Sequence, residues 1–327
     1  MLILFFISLA LLLISVRIDG TALDDYVWKN DNHYSWTRMT QPEKTFSGEI
    51  RGKKWTGYTL NFTSQQWLTD DVFSPNSDTK SVWWHYLVVI VPENVAWKRN
   101  ATLYITGGWN TGTPPSAEDE DVLLAATLSI GTNMITGTLF NVPNEHAIFK
   151  DDPIQKDRSE DSMIAYTWDH FLKDPSQPEW LLYFPMVKAA VRAMDAVKEF
   201  TQQTFPELET SLDYYCVAGA SKRGWTTWLT AAIDSNRVKG AIPIVLDLIN
   251  FVEFAHHQYR SYSGWTWALQ DYIDMNIMTR LEDPNMILLQ QLIDPYFYRD
   301  RLTVPKLVVN AVLDEFQEPG TSPLLPI

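Results

Sequence analysis

Cysteine is almost absent. Cys216 is the only one in 327 residues, so no intrachain disulfide can form and the fold has to be held by its core. It lies in the apolar stretch YYCVAG, which fits a buried core thiol better than a reactive one. Basic residues are scarce too, with 26 Lys and Arg against 40 Asp and Glu and a net charge of −14. Such a chain repels phosphate backbones and anionic bilayers, which argues against nucleic-acid binding. Histidine is limited to six, at positions 33, 85, 146, 170, 256 and 257. No two of them have convincing metal-ligand spacing, because the adjacent His256 and His257 would project in different directions from a helix. Internal repeats, low-complexity runs and a Pro/Gly/Ser linker dividing the chain are also missing.

Long hydrophobic runs are limited to one. Residues 2–16 read LILFFISLALLLISV, about 15 residues where a bilayer span needs about 20. Arg17 and Asp19 end the run, and Gly20, Thr21 and Ala22 follow. This predicts a secretory signal peptide over 1–22, cut near Gly20 or Ala22, and no membrane span after cleavage. The n-region carries no Lys or Arg. Sequons at Asn61-Phe62-Thr63 and Asn100-Ala101-Thr102 fit export and mark candidate glycosylation sites at Asn61 and Asn100.

What remains is rich in core-forming residues, at 46% hydrophobic with 14 Trp, ample for one large domain. β-prone stretches over 54–63 and 82–91 lie close together with no helix between them, which predicts an antiparallel start to a sheet. Further strands are expected over 102–106, 133–139, 213–219, 239–246 and 305–312. Helical spacing covers 160–173, 182–203 and 222–233, and 250–301 reads as mostly helical. Strands alternating with helices imply an α/β fold with a mostly parallel sheet and helices on both faces. The expected organisation is a β-rich extension over 23–80, then an α/β-hydrolase-like domain over 81–327 with a helical cap at about 250–301.

Residues 213–228, DYYCVAGASKRGWTTW, carry the chemistry. An apolar strand runs through Gly219-Ala220-Ser221-Lys222-Arg223-Gly224 straight into a helix, the setting of a nucleophile elbow. Small residues allow the tight bend, and Ser221 would present its Oγ above the free N–H groups of the helix N-terminus. The usual pattern is G-x-S-x-G; here the second Gly lies at +3 and Arg223 occupies +2. A serine that merely caps the helix explains the same residues. For an oxyanion hole the candidates are the amide of Lys222 and the Gly-Gly turn of Tyr104-Ile105-Thr106-Gly107-Gly108-Trp109-Asn110, chiefly Gly108 and Trp109. The Lys222 ammonium could add charge to the same oxyanion. Asp314, after VPKLVVNAV, stands where a triad acid follows its strand, with Asp247 the alternative. No histidine lies beyond Asp314, and without a base a serine hydroxyl is a poor nucleophile.

These residues resemble the PhoPQ-activated pathogenicity-related family, which includes an autocrine repressor of proliferation. The resemblance runs through LDDYV (23–27), VWWHYLVVIVP (82–92), TGGWN (106–110), RSEDSMIAYTWDHFL (158–172), PMVKAAVRAMDAVKEF (185–200), GASKRGWTTWLTAAID (219–234), IPIVLDLIN (242–250) and VPKLVVNAVLDEF (304–316). It implies an α/β-hydrolase-like fold and export, with the family's Ser and Asp falling on Ser221 and Asp314. The elbow alone also looks like that of glucuronoyl esterases. Family members usually continue past DEF to a histidine, whereas this chain ends in a Pro-rich tail, which is expected of a truncated or alternatively spliced product with a defective site, or of an incomplete gene model. The functional expectations are a secreted serine acyl hydrolase acting on a small-molecule or peptide substrate without cofactor or metal, or a non-enzymatic secreted signal that binds a cell-surface receptor.

Overall fold

The structure, a computed structural model, describes residues 20–40, 45–246 and 248–317. The expected signal run and Asp247 lie outside the described residues. Eight helices and eight strands are found among the described residues, in the order α1 (Ala22–Trp28), β1 (Ser35–Arg38), β2 (Thr45–Ile50), β3 (Lys53–Gln66), β4 (Val82–Pro92), β5 (Asn100–Ile105), α2 (Glu120–Thr132), β6 (Ile135–Leu139), α3 (Glu160–Lys173), α4 (Tyr183–Thr204), β7 (Tyr214–Ala220), α5 (Lys222–Ile233), β8 (Val238–Ile244), α6 (Phe251–Tyr262), α7 (Gln270–Asp274) and α8 (Pro284–Ile293). The sheet order is β1-β3-β4-β6-β5-β7-β8, with β2 paired to β3.

β3 and β4 pair antiparallel over nearly their whole length, and β4 joins β6 antiparallel. From β6 onward the sheet is parallel, through β5 and β7 to β8. The β-rich N-terminal segment is thus hydrogen-bonded into the same sheet that carries the elbow. The β4 sequence VWWHYLVVIVP makes both faces possible: Leu87 and Val89 enter one core, and Val88 and Ile90 the other. Helix α2 covers the smaller core with Val122, Ala125 and Ala126. Asp119 caps it by accepting the Asp121 and Val122 amides, and Asn133 ends it in the left-handed conformation. The larger core is built by α4 and α5 and includes the fully buried Trp168, Trp228 and Phe200. Burying apolar area of this kind is worth about 25 cal/mol per Å², which explains how the fold holds without disulfides.

Helices α6, α7 and α8 occupy the stretch between β8 and residue 305, where the helical cap was expected. The anticipated strand at 305–312 differs. It runs parallel beside β8, with two isolated bridges, Ala241 with Lys306 and Ile244 with Val309, and four backbone hydrogen bonds linking 305–309 to 241–245, but it forms no continuous strand. Leu307, Val312 and Leu313 are 60%, 81% and 94% exposed, so the segment lies uncovered at the sheet margin. Helices α1 and α2 were not anticipated. The first lies against α4 and is held by a capping box between Thr21 and Asp24.

Candidate active site

β7 ends at Ala220 and α5 starts at Lys222, leaving Ser221 alone to make the turn. Its φ of 56° and ψ of −128° lie in a region that favours glycine. Its side chain makes no capping hydrogen bond to the helix it precedes, which removes the helix-cap explanation. The bend closes tightly: a Cβ on Gly219 would sit 2.7 Å from the Arg223 carbonyl oxygen, and one on Gly224 would sit 2.9 Å from that of Ile244. The Ser221 amide donates to the Ile244 carbonyl at 2.9 Å, tying the turn to β8.

Ser221 lines a cavity of about 290 Å³ together with Lys222 and Asp314. Its walls include Asp161, Tyr183, Trp225, Tyr272 and Phe316. Asp314 Oδ1 accepts the amides of Phe316 and Gln317 at 2.8 and 3.0 Å, and Gln317 Nε2 donates to the Val245 carbonyl at 2.7 Å. The acid is therefore set by its own turn and by the chain after β8. Two of the expected oxyanion residues, Gly108 and Trp109, are not among the described residues lining this cavity. Gly108 has a φ of 124°, and the Trp109 side chain is 55% exposed.

The Lys222 ammonium does not point free into the cavity. It pairs with Glu160 Oε2 and, at 2.9 Å, with Asp161 Oδ2. Burial works against its charge, but Asp161 and Glu160 outweigh burial and hold it above the usual lysine range, so it cannot serve as the base. Arg223 donates through Nη1 and Nη2 to the two Glu160 oxygens at 2.9 and 2.5 Å. Burial would raise the Glu160 carboxyl, yet Arg223 and Lys222 hold it at about 2. Glu145 behaves oppositely: burial and then the Glu160 charge push it up to about 8. Tyr272 donates to Asp161 Oδ1 at 2.9 Å, and burial followed by the Asp161 charge raises its hydroxyl well above 10.

None of the six histidines lines the Ser221 cavity. His85 is fully buried, accepts or donates at Ser64 Oγ (2.9 Å) and meets the Phe140 carbonyl at 3.0 Å. Burial lowers it to about 4, so the Ser64–His85 pair is a sealed core contact. His170 stacks on Trp180 at 3.6 Å between ring centroids, His256 pairs with Glu282, His146 lies 3.6 Å from Asp157, and His33 bonds Asp31. His257 contacts Ser261. Among the described residues no group of three or more His, Cys, Asp or Glu could hold a metal, and no helix is long and apolar enough to cross a membrane.

The family model for PhoPQ-activated pathogenicity-related proteins matches residues 23–323. This chain belongs to that family. Autocrine proliferation repressor protein A of Dictyostelium discoideum is 36% identical over 315 residues, covering 96% of this chain. That alignment covers 59% of the relative's own length. Among solved structures, the acetyl xylan esterase from Paenibacillus sp. R4 superposes with a TM-score of 0.52 at 13% identity, covering 92% of this chain and 79% of that one. Acetyl xylan esterase 1 from Thermoanaerobacterium sp. JW/SL YS485 gives 0.51 at 13% identity, covering 92% and 81%. These likenesses establish the α/β-hydrolase fold. Glu160 and Asp161 of this family member were not singled out from sequence. The available signal was charge: two cations directly after a buried elbow require carboxylate partners, and RSEDSMIAYTW offers two at a helix start.

Proposed function

We propose that this chain is a secreted α/β-hydrolase-fold protein whose Ser221 is the nucleophile of an acyl-hydrolase site. The carrying observation is a strained serine with no capping bond that shares a cavity with Asp314. Its Oγ attacks an ester carbonyl and the Lys222 amide holds the oxyanion; a second N–H is drawn from the Gly107–Gly108 turn, which stands outside the cavity lining but packs against the Arg223 guanidinium of the elbow helix. The alcohol leaves with the serine proton, and water then cleaves the acyl-serine. The proton needs a carrier. Asp314 is the acid that would orient one, and no histidine lines the cavity, so a base has to reach Ser221 from outside it. The direct test is hydrolysis of 4-nitrophenyl acetate with added imidazole. The rate above the Ser221→Ala background should rise with imidazole concentration; identical rates for both proteins remove the reading.

Export belongs to the same proposal, with Asn61 and Asn100 as glycan acceptors. Cleavage after Gly20 keeps Thr21, whose hydroxyl caps α1 and reaches Tyr298 Oη at 3.1 Å; cleavage after Ala22 discards both contacts. Edman sequencing of the exported chain should begin at Thr21, and a start at Leu23 contradicts it. One observation favours a second reading: a relative at 36% identity is named for autocrine repression of proliferation. On that reading the fold is a signal recognised at a cell surface, and Ser221→Ala leaves saturable cell binding intact.

A further inference from the structure

We infer that Glu160 is a positioning residue that holds the Ser221 turn in register with the Gly107–Gly108 loop. The inference rests on the reading of Ser221 as nucleophile. Cations in the first turn of a helix oppose the macrodipole and are normally disfavoured. Yet α5 opens with Lys222 and Arg223, and no acid of its own occupies that turn. Both side chains are nearly buried, at 8% and 10% exposure. Glu160 supplies the missing charge from α3, about sixty positions away: Lys222 Nζ and Arg223 Nη1 share Oε2, and Arg223 Nη2 takes Oε1. A two-point guanidinium–carboxylate pair fixes orientation as well as charge.

The clamp continues from Arg223 into the opposite loop. Arg223 Nε donates to the Val142 carbonyl at 2.5 Å. Its guanidinium lies so close to Gly107 that a Cβ there would be 2.7 Å from Nη2. Residues 141 and 142 are in turn hydrogen-bonded to that loop, Asn141 N–H to the Gly107 carbonyl at 2.9 Å and Val142 N–H to that of Thr106 at 3.2 Å. At the far end the Asn110 amide donates to the Glu145 carbonyl at 2.8 Å, and Glu145 Oε2 accepts the Glu160 amide at 2.7 Å. Glu160 therefore closes a ring of contacts that joins the nucleophile's helix to both ends of the Gly-Gly loop. It does so with a φ of 51°, unusual for a non-glycine residue, and such strain persists only where the surroundings impose it.

Placement of this kind acts on the rate of the chemical step rather than on binding, because an ångström of displacement costs on the order of 10²-fold. The test is the kinetics of Ser221 modification by a small fluorophosphonate at one fixed, high imidazole concentration, which supplies the missing base, separating the limiting rate from the half-saturating concentration. Glu160→Gln should modify to the same final extent with a limiting rate at least about tenfold lower and a half-saturating concentration within about twofold, and Glu160→Asp should fall between. An unchanged limiting rate in folded Glu160→Gln overturns the inference, as does a reduced final extent at unchanged rate, the mark of a structural role alone. If Glu160→Gln does not fold, Arg223→Lys replaces it. That variant keeps the charge, loses the two-point fork, and must show the same loss of limiting rate for the inference to stand. Wild type that is modified no more than Ser221→Ala removes the reading of Ser221 itself. Modified wild type with an unaffected Glu160→Gln removes this inference alone.

Discussion

Replacing Ser221 by glycine should make the protein more stable while destroying its proposed nucleophile. Ser221 holds φ 56° and ψ −128°, and a side-chain-bearing residue in such a region stores about 1–3 kcal/mol. Glycine relieves that strain but gives the unfolded chain more freedom, which costs about 0.5–1 kcal/mol. The net gain is roughly 0–2.5 kcal/mol, about 1 kcal/mol at mid-range, since the side chain makes no capping hydrogen bond that would be lost. With about 2.1 cal/mol/K of unfolding entropy per residue, a 327-residue chain would gain about 2 °C in Tm at mid-range and up to about 4 °C. Ser221→Ala is the control: it removes the hydroxyl, keeps the Cβ and therefore keeps the strain. Differential scanning calorimetry of the three proteins at one scan rate separates the contributions. A glycine variant that melts no higher than the alanine variant refutes the strained elbow.

Other expectations concern its surroundings. Gly219→Ala places a Cβ 2.7 Å from the Arg223 carbonyl oxygen, so the turn must open; overpacking of this order costs about 1–3 kcal/mol, read as a lower urea midpoint. Glu145, raised to about 8 when folded, binds a proton between its unfolded value near 4.3 and pH 8 that the unfolded chain releases. Its contribution to stability is therefore complete at low pH and is lost as pH rises through that window. Glu145→Gln should remove this slope and gain on wild type from pH 5 to pH 8 in urea titrations; parallel curves contradict it. His85→Ala leaves Ser64 without its partner in a sealed core and should cost about 2–4 kcal/mol. Modification of Ser221 in the folded protein should proceed at the wild-type rate, and a large loss would draw His85 into the chemistry.

How far the sequence reveals all this depends on how local each feature is. Helices α3 and α5 were legible to the residue, and β7 to within one, because apolar spacing and the abrupt passage through 219–224 are local signals. The antiparallel pairing of β3 with β4 also followed from the lack of an α-helix between them. Helix α2 was hidden by the polar, Pro-containing approach through 113–119, although Asp119 is a sound cap. The strand anticipated at 305–312 failed for the opposite reason. Its apolar, β-branched composition suits a strand, and 305–309 does bond along β8, but beyond residue 309 Val312 and Leu313 are exposed and no pairing to β8 continues. Glu160 was missed because its partners Arg223 and Lys222 lie far along the chain, so the charge signal called for a carboxylate without saying which one.

The most direct measurement is the site of covalent capture by a fluorophosphonate with imidazole added as the base that the cavity does not supply, read by intact mass and peptide mapping of the whole chain. The account predicts a single adduct on the peptide holding residue 221, absent from the alanine variant. An unmodified folded chain, or an adduct on another serine with residue 221 untouched, would contradict it.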